Sequence, residues 1–171
     1  MDETASGLST TRRLSWRDVY DALAAELLRY LWHLTRDREV ATDLMQDTFL
    51  AAMRDEGQLR DPNKVHPWLY RIATRLATRR LQRARLVAFL PFSGREQSER
   101  GEPDIERIAV RAALAAVSPD QAVALVLHYA HGFTRTEIAE ITGRSEETIK
   151  SRIARGKGAF LAAYDEHGGQ R

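Results

Sequence analysis

The chain has 171 residues, 43% of them hydrophobic, and its 26 Lys and Arg against 24 Asp and Glu leave a formal charge of +2. That length suits one ordinary domain or two small ones, and the apolar fraction is enough to bury cores, which excludes a disordered chain. The absence of cysteine excludes disulfides, thiol catalysis and Cys-ligated zinc. With no signal-peptide core in MDETASGLSTTRRL and no run of membrane-spanning length, the expectation is a soluble cytoplasmic protein without membrane insertion.

Taken in chain order, residues 1–14 are small and polar and are expected to be disordered. Val19, Leu23, Leu27, Tyr30, Leu31 and Leu34 then recur at helical spacing and predict a helix from Ser15 to Thr35. A second is predicted over Glu39–Arg54, with Val40, Ala41, Leu44, Thr48 and Ala51 on one side. Periodicity stops at DEGQLRDPNKVHP, read as a loop. A third helix is expected from Pro67, which tolerates a first turn because its missing N–H would be unpaired there, to Arg85. The polar stretch from Pro91, with two prolines and two glycines, is read as a flexible interdomain linker at 91–103.

Beyond it Asp104 can cap a helix carrying Ile105, Ile108, Ala112 and Ala115. Ser118-Pro119-Asp120-Gln121 is a capping box with proline at the first helical position, opening a helix to about Ala130. Thr134 to Glu137 is a second capping box, and Ser145 can cap the final helix. No alternating strand pattern survives, so the fold is expected to be all-α, with two small helical domains at 15–90 and 104–165 and a tail at 166–171.

The last two helices carry a mechanical signature. A short helix, Thr136–Thr142, and a longer one from Glu146 leave only Gly143-Arg144-Ser145 as the connection. A steep crossing needs a small residue at the contact, Ala139, a turn residue tolerant of positive φ, Gly143, and an apolar plug, Ile149. This is a helix-turn-helix. Ile149, Ile153, Gly156 and Phe160 share the packing face, while Thr148, Ser151, Arg152 and Arg155 share one expected to be free to read DNA. Upstream, no Asp or Glu occurs from Pro62 to Arg95, a window that holds Lys64, Arg71, Arg75, Arg79, Arg80, Arg83, Arg85 and Arg95.

Together with this helix-turn-helix, DLMQDTFLAAMR (43–54) and PWLYRIATRLATRRLQR (67–83) resemble, in order and separation, regions 2 and 4 of bacterial RNA polymerase sigma factors of the extracytoplasmic-function group. The resemblance covers about Ser15 to Tyr164 and implies a dissociable polymerase subunit, not a catalyst, that recognises and opens promoters. It implies that region 2 binds core polymerase and the minus 10 element, that region 4 binds the minus 35 element, and that no cofactor or metal is needed. With no further domain after Tyr164, sensing is expected to come from a partner such as an anti-sigma factor, or from control of expression.

By residue, the resemblance places Asp43, Gln46, Asp47 and Leu50, outside the Val40, Leu44 and Ala51 face, on core polymerase. Lys64, His66, Trp68, Arg71, Arg75 and Arg79 fall to the minus 10 element, where an aromatic ring beside arginines suits a strand leaving a duplex; Trp68 could equally anchor the core. The preceding loop, Glu56 to His66, matches the segment that captures a flipped base. Arg144, Ser145, Thr148, Ser151, Arg152 and Arg155 fall to the minus 35 element. The family usually has Asn at position 75 and Asp at position 79, so Arg75 and Arg79 depart from it. A helix-turn-helix regulator binding operator DNA alone is the alternative; it accounts for Asp104 to Tyr164 but not for the acid-free window or DLMQDTF. An enzyme would need more than the His128 and His131 pair, which lacks a carboxylate cluster beside it.

Overall fold

The computed structural model describes residues 14–88 and 105–166. The N-terminal segment before Leu14, the expected linker, the Asp104 cap and the tail beyond Glu166 lie outside the described residues, as do the side chains of Ile105 and Ile108. Seven α-helices and no strand occur among the described residues.

The first half is three helices, α1 (Trp16–Thr35), α2 (Arg38–Arg54) and α3 (Val65–Ala88). Ser15 caps α1 by accepting from the Asp18 N–H, and Arg36 ends it in the left-handed region at φ 54°, its N–H reaching Trp32 O at 2.8 Å. The chain reverses within one residue, because Asp37 already caps α2 by accepting from Val40 N–H at 3.0 Å. From the faces expected on α1 and α2, Leu27, Tyr30, Leu31, Ala41 and Leu44 are buried, and they form the core with Leu69, Ile72 and Ala73 of α3. Thr48 is fully buried, its hydroxyl satisfied by donating to Leu44 O at 2.7 Å.

Two features depart from expectation. The loop contains two 3-10 turns, Glu56–Gln58 and Pro62–Lys64, and Asp61 accepts from Asn63 N–H to set the second. α3 begins two residues before Pro67, at Val65. Proline still fits, since the first four N–H groups of a helix lack intrahelical partners.

The second half is α4 (Ile105–Ala116), α5 (Pro119–Leu125), α6 (Arg135–Thr142) and α7 (Glu146–Glu166). Both capping boxes form, Ser118 with Gln121 and Thr134 with Glu137. α5 does not continue as an α-helix to Ala130: Val126–Ala130 widens into a π turn, and Phe133 N–H returns to Leu127 O at 3.0 Å. α4 and α7 meet over Ala109, Ala113, Ala163 and Tyr164. Gly143 lies at φ 65°, and both its N–H and that of Arg144 turn back to Ala139 O. Ile149 plugs the crossing with no exposed surface.

The two halves share one core. Tyr70 of α3 stacks edge-on against Phe133 at 4.9 Å between centroids and donates its hydroxyl to Glu26 of α1 at 2.8 Å. His66 stacks on Phe133, and His131 lies edge-on to Tyr30 and His33. Tyr30 in turn shares a buried hydrogen bond of 2.8 Å with Thr74. Burial and the Glu26 carboxylate push the Tyr70 hydroxyl well above its ordinary pKa, so it stays a neutral donor. Burial first, then the charges of His33 and Arg29, push His131 down from 6.5 to about 4 against the opposing pull of Glu26. Among the described residues its buried Nε2 has no hydrogen-bond partner, and neither has His33 Nδ1.

Glycine substitutions test the second half. A Cβ on Gly156 would meet Gln121 Cβ and Leu125 Cδ1 of α5 at 3.1 Å, whereas one on Gly158 meets nothing within 4 Å. Gly156→Val should cost about 1–3 kcal/mol by overpacking, and Gly158→Ala should stabilise by up to about 1 kcal/mol, both read from urea midpoints. The seam should also be acid-sensitive. Between pH 6.5 and about 4 the unfolded chain binds a proton that folded His131 refuses, so stability is full above 6.5 and falls as pH drops toward 4. His131→Phe should show a shallower fall over that window in denaturant melts.

Candidate nucleic-acid interface

α2 turns Asp43, Gln46, Asp47 and Leu50 outward, all four exposed, because Leu44, Met45, Thr48 and Phe49 occupy the buried arc. Leu50 is 64% exposed, and Met53, one turn on, is 50% exposed. Reading the sequence missed Met53; its position three residues after Leu50 places it on the same edge and was the available signal. Tyr20 of α1 is 44% exposed beside them, its ring 4.9 Å from that of Phe49. An apolar strip flanked by carboxylates is thus left in solvent.

On α3, Arg71, Arg75 and Arg79 form an exposed row at i, i+4 and i+8. Trp68 does not stand free beside them. It is half-buried against the core with its ring 6.5 Å from Trp16, whose Nε1 donates to Glu56 at 2.9 Å and so ties α1 to the loop. His66 also faces inward, with Nε2 3.5 Å from Glu26 and its ring on Phe133. Lys64 remains exposed, 3.9 Å from Glu140.

On α7 the expected reading face is only partly free. Arg155 is exposed, its Nε 3.5 Å from Ser151 O. Arg152 is held: its guanidinium donates to Asp120 of α5 at 2.7 Å, and only 16% of its side chain is exposed. Helix periodicity puts Arg152 on the same face as Arg155, but it cannot reveal that α5 presents a carboxylate there. Ser145 caps α7 by accepting from Thr148 N–H, and the two hydroxyls are 2.9 Å apart. Arg144, in the turn, is exposed.

These residues meet in one place. Arg71, Arg75 and Arg79 of α3 and Arg144 and Arg152 of the helix-turn-helix line a single cleft of about 280 Å³. Arg71 crosses it, donating to Glu140 O of α6 at 2.6 Å. The arginines of the acid-free window therefore face those of the helix-turn-helix across the seam, which sequence periodicity could not foretell. His128 and His131 do separate work, His128 Nδ1 sitting 3.0 Å from Phe133 O while His131 enters the aromatic seam. No helix among the described residues is long and apolar enough to cross a membrane.

With this geometry in view, residues 19–87 match the family model of sigma-70 region 2 and residues 107–160 that of sigma-70 region 4. SigL of Mycobacterium tuberculosis is 30% identical over 155 residues, 86% of this chain and 88% of that protein. SigM of the same species is 32% identical over 146 residues, 82% of this chain and 74% of that protein. The fold matches RpoE of Bartonella quintana, solved in complex with the anti-sigma factor NepR, with a TM-score of 0.65 at 24% identity, over 88% of this chain and 96% of that one. Region 2 followed by region 4, with likeness to SigL and SigM along most of the chain, shows that this chain belongs to the extracytoplasmic-function sigma factors of RNA polymerase, which direct promoter recognition.

Proposed function

We propose that the chain docks on core polymerase through the outward edge of α2 and reads promoter DNA with α3 and α7, and that the closed seam must part for both readings to occur. The observation that supports this division most is Leu50, 64% exposed between carboxylates on a helix whose other arc is fully committed to the core. An exposed apolar anchor flanked by acids suits a partly basic partner groove, with Asp43, Gln46, Asp47 and Met53 around it. The protein then acts as a non-catalytic subunit wherever polymerase works, in the cytoplasm.

For the minus 10 element, Arg75 and Arg79 supply the phosphate-holding row, and the turns from Glu56 to Lys64 hold the loop assigned to base capture. Trp68, packed beside Trp16, braces the start of α3. For the minus 35 element, Arg155, Arg144 and Ser145 are the groups most open to DNA, Thr148 and Ser151 are half-buried beside them, and Arg152 joins them once it leaves Asp120. The RpoE neighbour's complex with NepR supports an anti-sigma partner for this chain as well. An apolar cleft of about 360 Å³ between the end of α1 and the second half, lined by Val110, Leu114, Tyr129, Phe160 and Leu161, is the cover its apolar side chains would use.

Leu50→Asp should abolish binding to core polymerase in a pull-down while leaving the far-ultraviolet circular dichroism and urea midpoint unchanged; lost helicity would contradict the surface assignment. On promoter DNA, Arg155→Ala should weaken minus 35 binding by about 1–3 kcal/mol for a lost base contact, without changing stability. Arg152→Ala should weaken DNA binding and also destabilise the free protein, since it leaves Asp120 without its partner. Footprinting with equal protection by the wild type and Arg155→Ala would remove Arg155 from the reading face.

A further inference from the structure

The cleft between the halves brings together arginines that an open form would spread over two separate promoter elements. Five guanidinium groups, from Arg71, Arg75, Arg79, Arg144 and Arg152, line about 280 Å³ together with one carboxylate, Asp120. Asp120 is taken by Arg152, and Arg71 is taken by Glu140 O. The guanidinium groups of Arg75, Arg79 and Arg144 have no ion pair or hydrogen bond among the described residues. Among the described residues, closing the seam therefore gathers five positive charges around a single carboxylate. Thr78 adds a hydroxyl to the same wall.

From this we infer that the closed cleft is a binding site for a linear chain of phosphates, as in an inorganic tripolyphosphate or the triphosphate of a nucleotide. Guanidinium forks match phosphate oxygens two at a time, and several can share one anion. The row from Arg71 to Arg79 extends about 12 Å along α3, at 1.5 Å per residue. One phosphate cannot engage that row and the facing Arg144 together, but linked phosphates can. A cleft of about 280 Å³ is too small for a duplex whose major groove alone is about 12 Å wide. Binding uses arginines from both halves, so such an anion holds the seam shut and by linkage opposes any partner that needs it open. The anion site stands on the cleft itself; only its effect on promoters rests on the DNA reading proposed above.

The test uses the full chain without DNA. Calorimetric titration with tripolyphosphate at fixed ionic strength should give one site, bound at least 10-fold more tightly than orthophosphate or sulfate. Arg75→Glu and Arg144→Glu should each weaken it at least 10-fold, and Arg83→Glu, on α3 but outside the cleft, should leave it unchanged. Because the chain has no cysteine, spin labels can be placed through Arg38→Cys and Lys150→Cys, both exposed. Their distance distribution should narrow when tripolyphosphate is added. An ATP arm identifies the source: equal binding assigns a nucleotide, weaker binding a free phosphate chain. Sulfate binding as tightly as tripolyphosphate, Arg83→Glu losing as much as Arg75→Glu, or an unchanged label distance would each overturn the site. Since no DNA is present, any of these outcomes leaves the promoter assignment standing.

Discussion

Everything else in the molecule depends on α3 serving two masters. One side of it buries Leu69, Ile72, Ala73 and Ala77 against α1 and α2, and Tyr70 reaches across to Phe133 and Glu26. The other side carries the arginine row. A helix has only one long apolar stripe to commit, and here that stripe both completes the first half and seats the second. The arginines are left where the halves meet, so the geometry that makes the fold compact also places its basic groups face to face.

The contacts across that seam differ in kind from those within each half. Inside, the burial is aliphatic and nearly complete, as at Leu27, Leu31, Leu69, Ile138 and Ile149. Across it stand the rings of His66, Tyr70, His131 and Phe133, of which the two imidazoles are partly exposed and the other two buried, and hydrogen bonds such as Arg71 to Glu140 O. Ring pairs of this kind contribute about 0.5–1.5 kcal/mol beyond area, and a partly exposed ion pair such as Arg152 with Asp120 adds a modest, screened amount. The seam thus joins the halves through aromatic and polar contacts as well as through the aliphatic core they share.

Much of this was legible in the sequence where a single local rule decides. Ser118 and Thr134 announce their capping boxes, Gly143 announces its turn, and the outward placement of Asp43, Gln46, Asp47 and Leu50 follows from periodicity. Gly156 was readable as a packing glycine, and α5 is what approaches it. Illegible were the facts that need two distant segments at once. Nothing in the spacing of Arg152 tells that Asp120 lies 2.7 Å away, nor that His66 and His131, 65 residues apart in number, meet around Tyr70. Trp68 kept two readings open because a tryptophan at a helix start serves either, and spacing alone could not show that it lies half-buried with its ring 6.5 Å from Trp16.

A seam of this strength also sets what a partner must supply. Moving a population from 1:99 to 99:1 in favour of an open form takes about 5.5 kcal/mol of differential binding. Two or three anchors of about 2 kcal/mol each would provide it, and α2 offers Leu50 and Met53 for one partner while α7 offers Arg155 for another. Neither the α2 edge nor Arg155 is consumed by the seam, so a partner can engage them before it parts. Were Tyr70, His131 and Phe133 replaced by an aliphatic interface as dry as the core around Leu31, the closed form would resist that free energy. The polar atoms buried at the seam, including the Nε2 of His131, which has no hydrogen-bond partner among the described residues, make closure less favourable than a dry aliphatic contact would.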